Sequence, residues 1–132
     1  MKITVDTSVI IAVVTNEPHK GSLVAATRES ELVAPSSLPW EIGNAFSAMF
    51  RRERITVEQA RAAVLAYGKI PVQLVDVPLV QALEIANEQK IYAYDAYMVA
   101  CALQHRAPLL SLDARLRAAA LASGARVVEL EV

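Results

Sequence analysis

Short apolar runs alternate with longer helix-patterned stretches along this chain, and few folds accept that order. "KITV" (2–5) alternates polar and apolar residues, and "DTS" breaks it. An apolar helix follows as far as "NEP" (16–18), with Thr7 or Ser8 as its cap. A helix over 20–29 leads to the short strand "ELVAP" (31–35). Next comes "SSLPWEIGNAFSAMFRRE" (36–53), a helix with cap-like serines, a first-turn proline and the stripe Ile42, Ala45, Phe46, Met49, Phe50. "TVEQ" (56–59) has the pattern of a capping box and opens a helix to Lys69. "VQLVDV" (72–77) reads as a strand, and Pro78 opens a helix to Gln89. A further helix runs from Asp95 to His105, then a strand over 108–113, a helix over "ARLRAAALA" and a last strand over 125–130. Strands that alternate with helices imply a mostly parallel sheet covered on both faces, in one α/β domain spanning 1–132.

Composition bounds the function. Hydrophobic residues are 55% of the chain, yet the longest strongly apolar run, "VIIAVV" (9–14), is far short of the ~20 residues that span a bilayer. "MKITVD" has no signal-peptide apolar core, and the single cysteine, Cys101, sits in apolar "MVACAL" and reads as core. A reducing, cytoplasmic setting without membrane attachment follows. The net charge of −1 argues against a bulk electrostatic grip on nucleic acid, though not against a small cationic patch beside a metal-neutralised acidic site.

The acids are more informative. Sites in open α/β sheets form at the carboxyl ends of strands. Asp6 ends the first strand and Asp113 ends "PLLSL"; Asp95 begins a helix, and Glu41 lies in a first helical turn. Brought together, these carboxylates raise one another's pKa unless a cation joins them. Mg²⁺ or a similar hard ion suits an all-oxygen site, and a metal-activated water there is a nucleophile for phosphodiester cleavage. Spacing alone leaves the alternative that each acid caps a helix, which is the reading given to Asp76.

Four stretches carry something more specific. "VDTSVIIAV", "PSSLPWEIGNAF", "YDAYMVACAL" and "LLSLDARL" occur in register with the acidic motifs of the PIN-domain family, and the chain resembles its VapC-type toxins. The resemblance implies a three-layer α/β/α sandwich around a parallel sheet of about five strands. It also implies Mg²⁺- or Mn²⁺-dependent endoribonuclease activity, an RNA substrate, a cognate antitoxin and a homodimer. The metal ligands it implies are Asp6, Glu41, Asp95 and Asp113, with Ser8 (or Thr7) and Ser111 orienting them. Asp113 has the most variable role in that family. Trp40, directly before the glutamate, reads as a bulky core residue.

Other residues admit two readings. Arg115 is a candidate RNA contact, whereas Arg51, Arg52, Arg54 and Arg117 equally suit helix ends and solvated faces. Tyr92, Tyr94 and Tyr97 can stack bases or pack at a core edge. His19 and His105 have no metal spacing and read as surface residues. The apolar helices over 9–14 and 42–50 are expected to leave hydrophobic surface for partners. A haloacid-dehalogenase phosphatase needs an aspartate where Ser8 stands; a receiver domain needs paired early acids and a late lysine. Four glycines leave little room for a P-loop or a dinucleotide fingerprint. The alternative from another class is a non-catalytic PIN-like module that binds RNA or protein, against which the intact acid set weighs.

Overall fold

The computed structural model describes residues 1–130. In chain order the elements are β1 (Lys2–Val5), α1 (Thr7–Val14), α2 (Lys20–Thr27), β2 (Glu31–Pro35), α3 (Leu38–Arg51), α4 (Val57–Tyr67), β3 (Val72–Val75), α5 (Leu79–Gln89), α6 (Ala93–His105), β4 (Leu109–Leu110) and α7 (Ala114–Ala122). The strands form a parallel sheet in the order β3-β2-β1-β4. Central β1 pairs Lys2–Thr4 with Glu31–Val33 on one side, and Thr4 and Val5 with Leu109 and Leu110 on the other. Ile3, Thr4 and Val5 are wholly buried, as a central parallel strand requires. The Thr4 hydroxyl is satisfied there by donating to the Ala107 carbonyl at 3.0 Å.

Helix α6 lies over β1, β2 and β4 with α5 and α7 beside it, while α1 packs with α2, α3 and α4. Helices thus cover both faces in three layers. Ala96, Met98, Val99, Ala100, Cys101 and Ala102 are all buried, so α6 is apolar nearly all round, as befits a central helix. Burial also pushes the Cys101 thiol up to about 11, in keeping with a core role.

Among the described residues four strands form where about five were expected. The segment over 125–130 makes a single parallel bridge, Leu109↔Val127, with bonds from Leu109 N–H to the Arg126 carbonyl and from Val128 N–H to the Leu109 carbonyl. The cause is β4. Pro108 has no N–H, and the Ser111 carbonyl accepts the Arg117 guanidinium, so Leu109 is the residue of β4 that pairs with this segment. Strand β3 likewise stops at Val75, two residues early.

Local signals fared unevenly. Thr56 and Gln59 form the full capping box. Neither Thr7 nor Ser8 caps α1, whose N-cap is Asp6, and α6 begins two residues before Asp95. Asp76 caps nothing: Pro78 is the N-cap of α5, and Asp76 accepts the Ser36 hydroxyl at 3.4 Å. Trp40 is 72% exposed, not core. Apolar surface was expected on the helices over 9–14 and 42–50: Val9, Ile10, Ala12 and Val14 are buried, whereas Phe50 on α3 is exposed, and more lies on α4 (Val57, Val64, Leu65) and α5 (Leu79, Val80, Leu83). Among the described residues no helix is long and apolar enough to cross a membrane.

Candidate active site

The carboxyl edge of the sheet receives all four candidate acids from separate elements. Asp6 follows β1 at the N-terminus of α1, where a capping aspartate would turn back on its own helix. It does not. Its Oδ2 accepts the Ser8 hydroxyl at 2.7 Å and the Ser111 hydroxyl at 2.8 Å. Each serine oxygen in turn accepts a backbone N–H: Ser8 from Leu112 and Ser111 from Asp113, both at 3.0 Å. Both hydroxyl protons are thereby committed to one oxygen of Asp6. That carboxylate is held rigid at 5% exposure, with Oδ1 outside the network.

Glu41 is buried in the first turn of α3 and accepts the Ser37 hydroxyl on Oε2 at 3.3 Å, one turn earlier on the same face. Burial, then the Asp6 charge, pushes its carboxyl up to about 8; the Ser37 bond opposes this and Asp95 adds to it. Thr7 stands close enough to favour the ionised form slightly, yet its buried hydroxyl makes no hydrogen bond of ordinary geometry. Asp95, in the first turn of α6, is also raised, by burial and then by the charges of Asp6 and Asp113, against which Arg115 acts. Asp6, Glu41 and Asp95 therefore lie within one another's fields.

Asp113 differs from these. It is exposed, and its Oδ1 accepts the N–H groups of Arg115 at 2.9 Å and Leu116 at 3.3 Å, the geometry of an N-cap for α7. Its charge still reaches Asp95. Two open clefts meet at these acids. One, of about 550 Å³, is lined by Thr7, Glu41, Asn44, Asp95 and tyrosines. The other, of about 330 Å³, is lined by Lys90, Ile91, Tyr92, Asp95, Asp113 and Arg115. Tyr92 and Asp95 belong to both.

In kind, these donors fit a hard divalent cation: all are oxygens, and burial first, then the neighbouring carboxylates, disfavours the ionised forms of Glu41 and Asp95. In spacing, among the described residues, no three acidic, histidine or cysteine side chains surround a common point.

The remaining candidates separate by position. Arg115 faces the acids, whereas the Arg117 guanidinium donates to the Ser111 carbonyl at 2.9 Å and so braces the loop that carries Ser111. Arg51, Arg52 and Arg54 lie at the far end of α3, about 15 Å along the helix from Glu41. Tyr94 and Tyr97 pack edge to face with centroids 6.0 Å apart. His19 is exposed, and His105 is half-buried with an unpartnered Nε2. Sequence reading missed Ser37, Asn44 and Lys90. The first two stand four before and three after Glu41 on its helix, a period that would have found them; Lys90 is recognisable only once α5 and α7 are placed together.

Comparison with solved structures gives the same fold. PAE2754 from Pyrobaculum aerophilum matches with a TM-score of 0.67 and 24% identity over 90% of this chain and 87% of that one. VapBC2 from Rickettsia felis, bound to a DNA fragment from their promoter, matches with a TM-score of 0.69 and 11% identity over 99% and 100% of the two chains. No curated protein sequence matches. The PIN domain model matches residues 3–121, nearly the whole chain, and with that this chain belongs to the PIN domain family.

Proposed function

We propose that the chain is a divalent-metal-dependent endoribonuclease acting as the toxin of a toxin–antitoxin pair. The observation that carries this is the disposition of Asp6: a buried carboxylate at a helix start that forgoes capping, held by two hydroxyls, in the field of Glu41 and Asp95. Nucleases are the general occupants of the family, and a fold shared with a VapBC complex supports the toxin assignment and an antitoxin partner. The uncovered apolar side chains of α4 and α5 are suited to that partner and to a homodimer.

Asp6, Glu41 and Asp95 would hold Mg²⁺ or Mn²⁺, with Asp113 contributing through its oxygen not used as a cap. The ion would supply the positive charge that lets these acids ionise together, and would activate water for attack at phosphorus. The protein's own residues do the rest. Ser8 and Ser111 fix the plane of the Asp6 carboxylate and leave Oδ1 for binding. Ser37 steadies Glu41, and burial keeps Glu41 protonated in the metal-free protein near neutral pH, so that loading releases a proton.

The test is calorimetric titration with Mn²⁺ of the wild type, Asp6→Asn and Asp95→Asn, followed by incubation of each with total RNA. Binding and Mn²⁺-dependent cleavage by the wild type, both lost in the variants while the fold persists, is the expected result. A wild-type protein that binds no Mn²⁺ at millimolar concentration ends the proposal.

A further inference from the structure

The smaller cleft contains groups that metal binding does not use. Lys90 closes α5 in the left-handed conformation, at φ 57° and ψ 45°, so the link Lys90–Ile91–Tyr92 turns sharply into α6. Such a position favours glycine on backbone grounds alone, and the turn itself does not call for a lysine. Lys90 is exposed and lines the cleft together with Arg115. Arg115 spends its backbone N–H on Asp113, while its guanidinium lies near Asp95 and makes no hydrogen bond among the described residues. Tyr92, the N-cap of α6, is 86% exposed and stands on the ridge between the two clefts. Its neighbours Tyr94 and Tyr97 pack against each other; the Tyr92 ring is left facing water.

We propose that this cleft is a nucleotide subsite beside the position of cleavage, in which Lys90 and Arg115 hold an RNA phosphate and Tyr92 stacks the adjoining unpaired base. The proposal rests on the ribonuclease reading and narrows its substrate to single-stranded or looped RNA. Two cations offset the repulsion that Asp95 and Asp113 exert on a polyanion entering the same cleft. An aromatic ring protruding from a ridge offers a stacking face to a splayed base, but cannot reach one stacked within a duplex. The bland assignment of Lys90 is charge complementing the C-terminus of α5, and that role makes no demand on RNA.

The probe is a fluorescent single-stranded RNA of about ten nucleotides, within the usual span of such grooves. Anisotropy is followed in the Asp6→Asn background, so that the strand stays whole. Adding Tyr92→Ala should weaken binding roughly 5- to 100-fold, the range for loss of one stacked base, and Tyr92→Phe should restore most of it. Lys90→Gly, which suits the left-handed backbone, and Arg115→Gln should each flatten the dependence of log affinity on log salt by about 0.7. Lys69→Gln, before β3 at the opposite end of the sheet, should leave that slope alone. A duplex of equal length should compete poorly. Unchanged affinity in Tyr92→Ala, unchanged salt slopes, equal competition by duplex, or no RNA binding at about 100 µM protein, the weak end of non-specific affinity, each overturns the subsite. Mn²⁺ binding without a Tyr92 effect retains the nuclease and removes the subsite; a Tyr92 effect without Mn²⁺ binding overturns the nuclease and leaves the cleft as part of a non-catalytic RNA-binding module.

Discussion

Glu41 should make the metal-free protein less stable as the pH rises. Its carboxyl lies at about 8 in the folded protein against 4.5 when unperturbed, chiefly through burial and next through the Asp6 charge. Between those values the folded chain binds a proton that the unfolded chain has released, so stability falls with pH across that window and is complete only below it. A shift of that size corresponds to about 5 kcal/mol at about 1.4 kcal/mol per unit. The carboxyl borders an open cleft, and halving the figure for solvent screening leaves about 2 kcal/mol. Urea unfolding of the EDTA-treated protein at intervals from pH 5 to pH 8 measures this. Wild type should lose about 2 kcal/mol over the range, and Glu41→Gln should lose markedly less and be the more stable of the two at pH 8. Mn²⁺ at a hundred times its dissociation constant should restore about 2.7 kcal/mol to the wild type and flatten the profile, since metal and proton compete for the same oxygens. Parallel profiles for wild type and Glu41→Gln without metal would show that Glu41 is not held in the acids' shared field, and the argument for a common site would fall with it.

Other expectations are simpler. Ser111→Ala removes a donor from Asp6 and an acceptor from the Asp113 N–H; it should cost about 1–3 kcal/mol of stability by urea melt and about 10- to 100-fold in Mn²⁺ affinity by calorimetry. A variant that binds Mn²⁺ as wild type does would refute the orienting role of that hydroxyl. Thr56→Ala, far from the acids, should lose about 1 kcal/mol by removing the capping box while Mn²⁺ affinity holds; a change in affinity would contradict the separation of the two regions. Leu110→Ala, at the buried end of β4 beside Val5, should cost about 2–5 kcal/mol in the same urea melts, and a cost below 1 kcal/mol would mean the strand is not packed as described.

What could be read from the residues, and what could not, follows from the range of the forces involved. Capping by Thr56 and Gln59 is settled within four residues, and the sequence shows it outright. The apolar circumference of α6 likewise announces a central helix, and alternation of strands and helices announces the layered sheet. Asp6 and Asp113 look alike in sequence, each an aspartate between strand and helix, yet one forgoes capping for Ser8 and Ser111 and the other caps α7. A bond spanning 105 residues decides that difference, and no local pattern contains it. Asp76 and Trp40 were misjudged for the same reason: neither its Ser36 partner nor the absence of a covering element is visible from their neighbours. The fifth strand was lost because its pairing is limited by the shortness of β4, not by its own composition.

The bond from Ser111 to Asp6 also has a consequence in time. Synthesis delivers the second hydroxyl donor of Asp6 105 residues after Asp6 itself, roughly 5–20 s at ordinary elongation rates. Throughout that interval the growing polypeptide contains Asp6, and in due course Glu41 and Asp95, without the hydroxyl that completes the network. A product that stops short of Ser111 lacks one of the two hydroxyls that orient the carboxylate. Under the function proposed above, abandoned translation would yield fragments without the completed network, and activity would arrive only once Ser111 has been made.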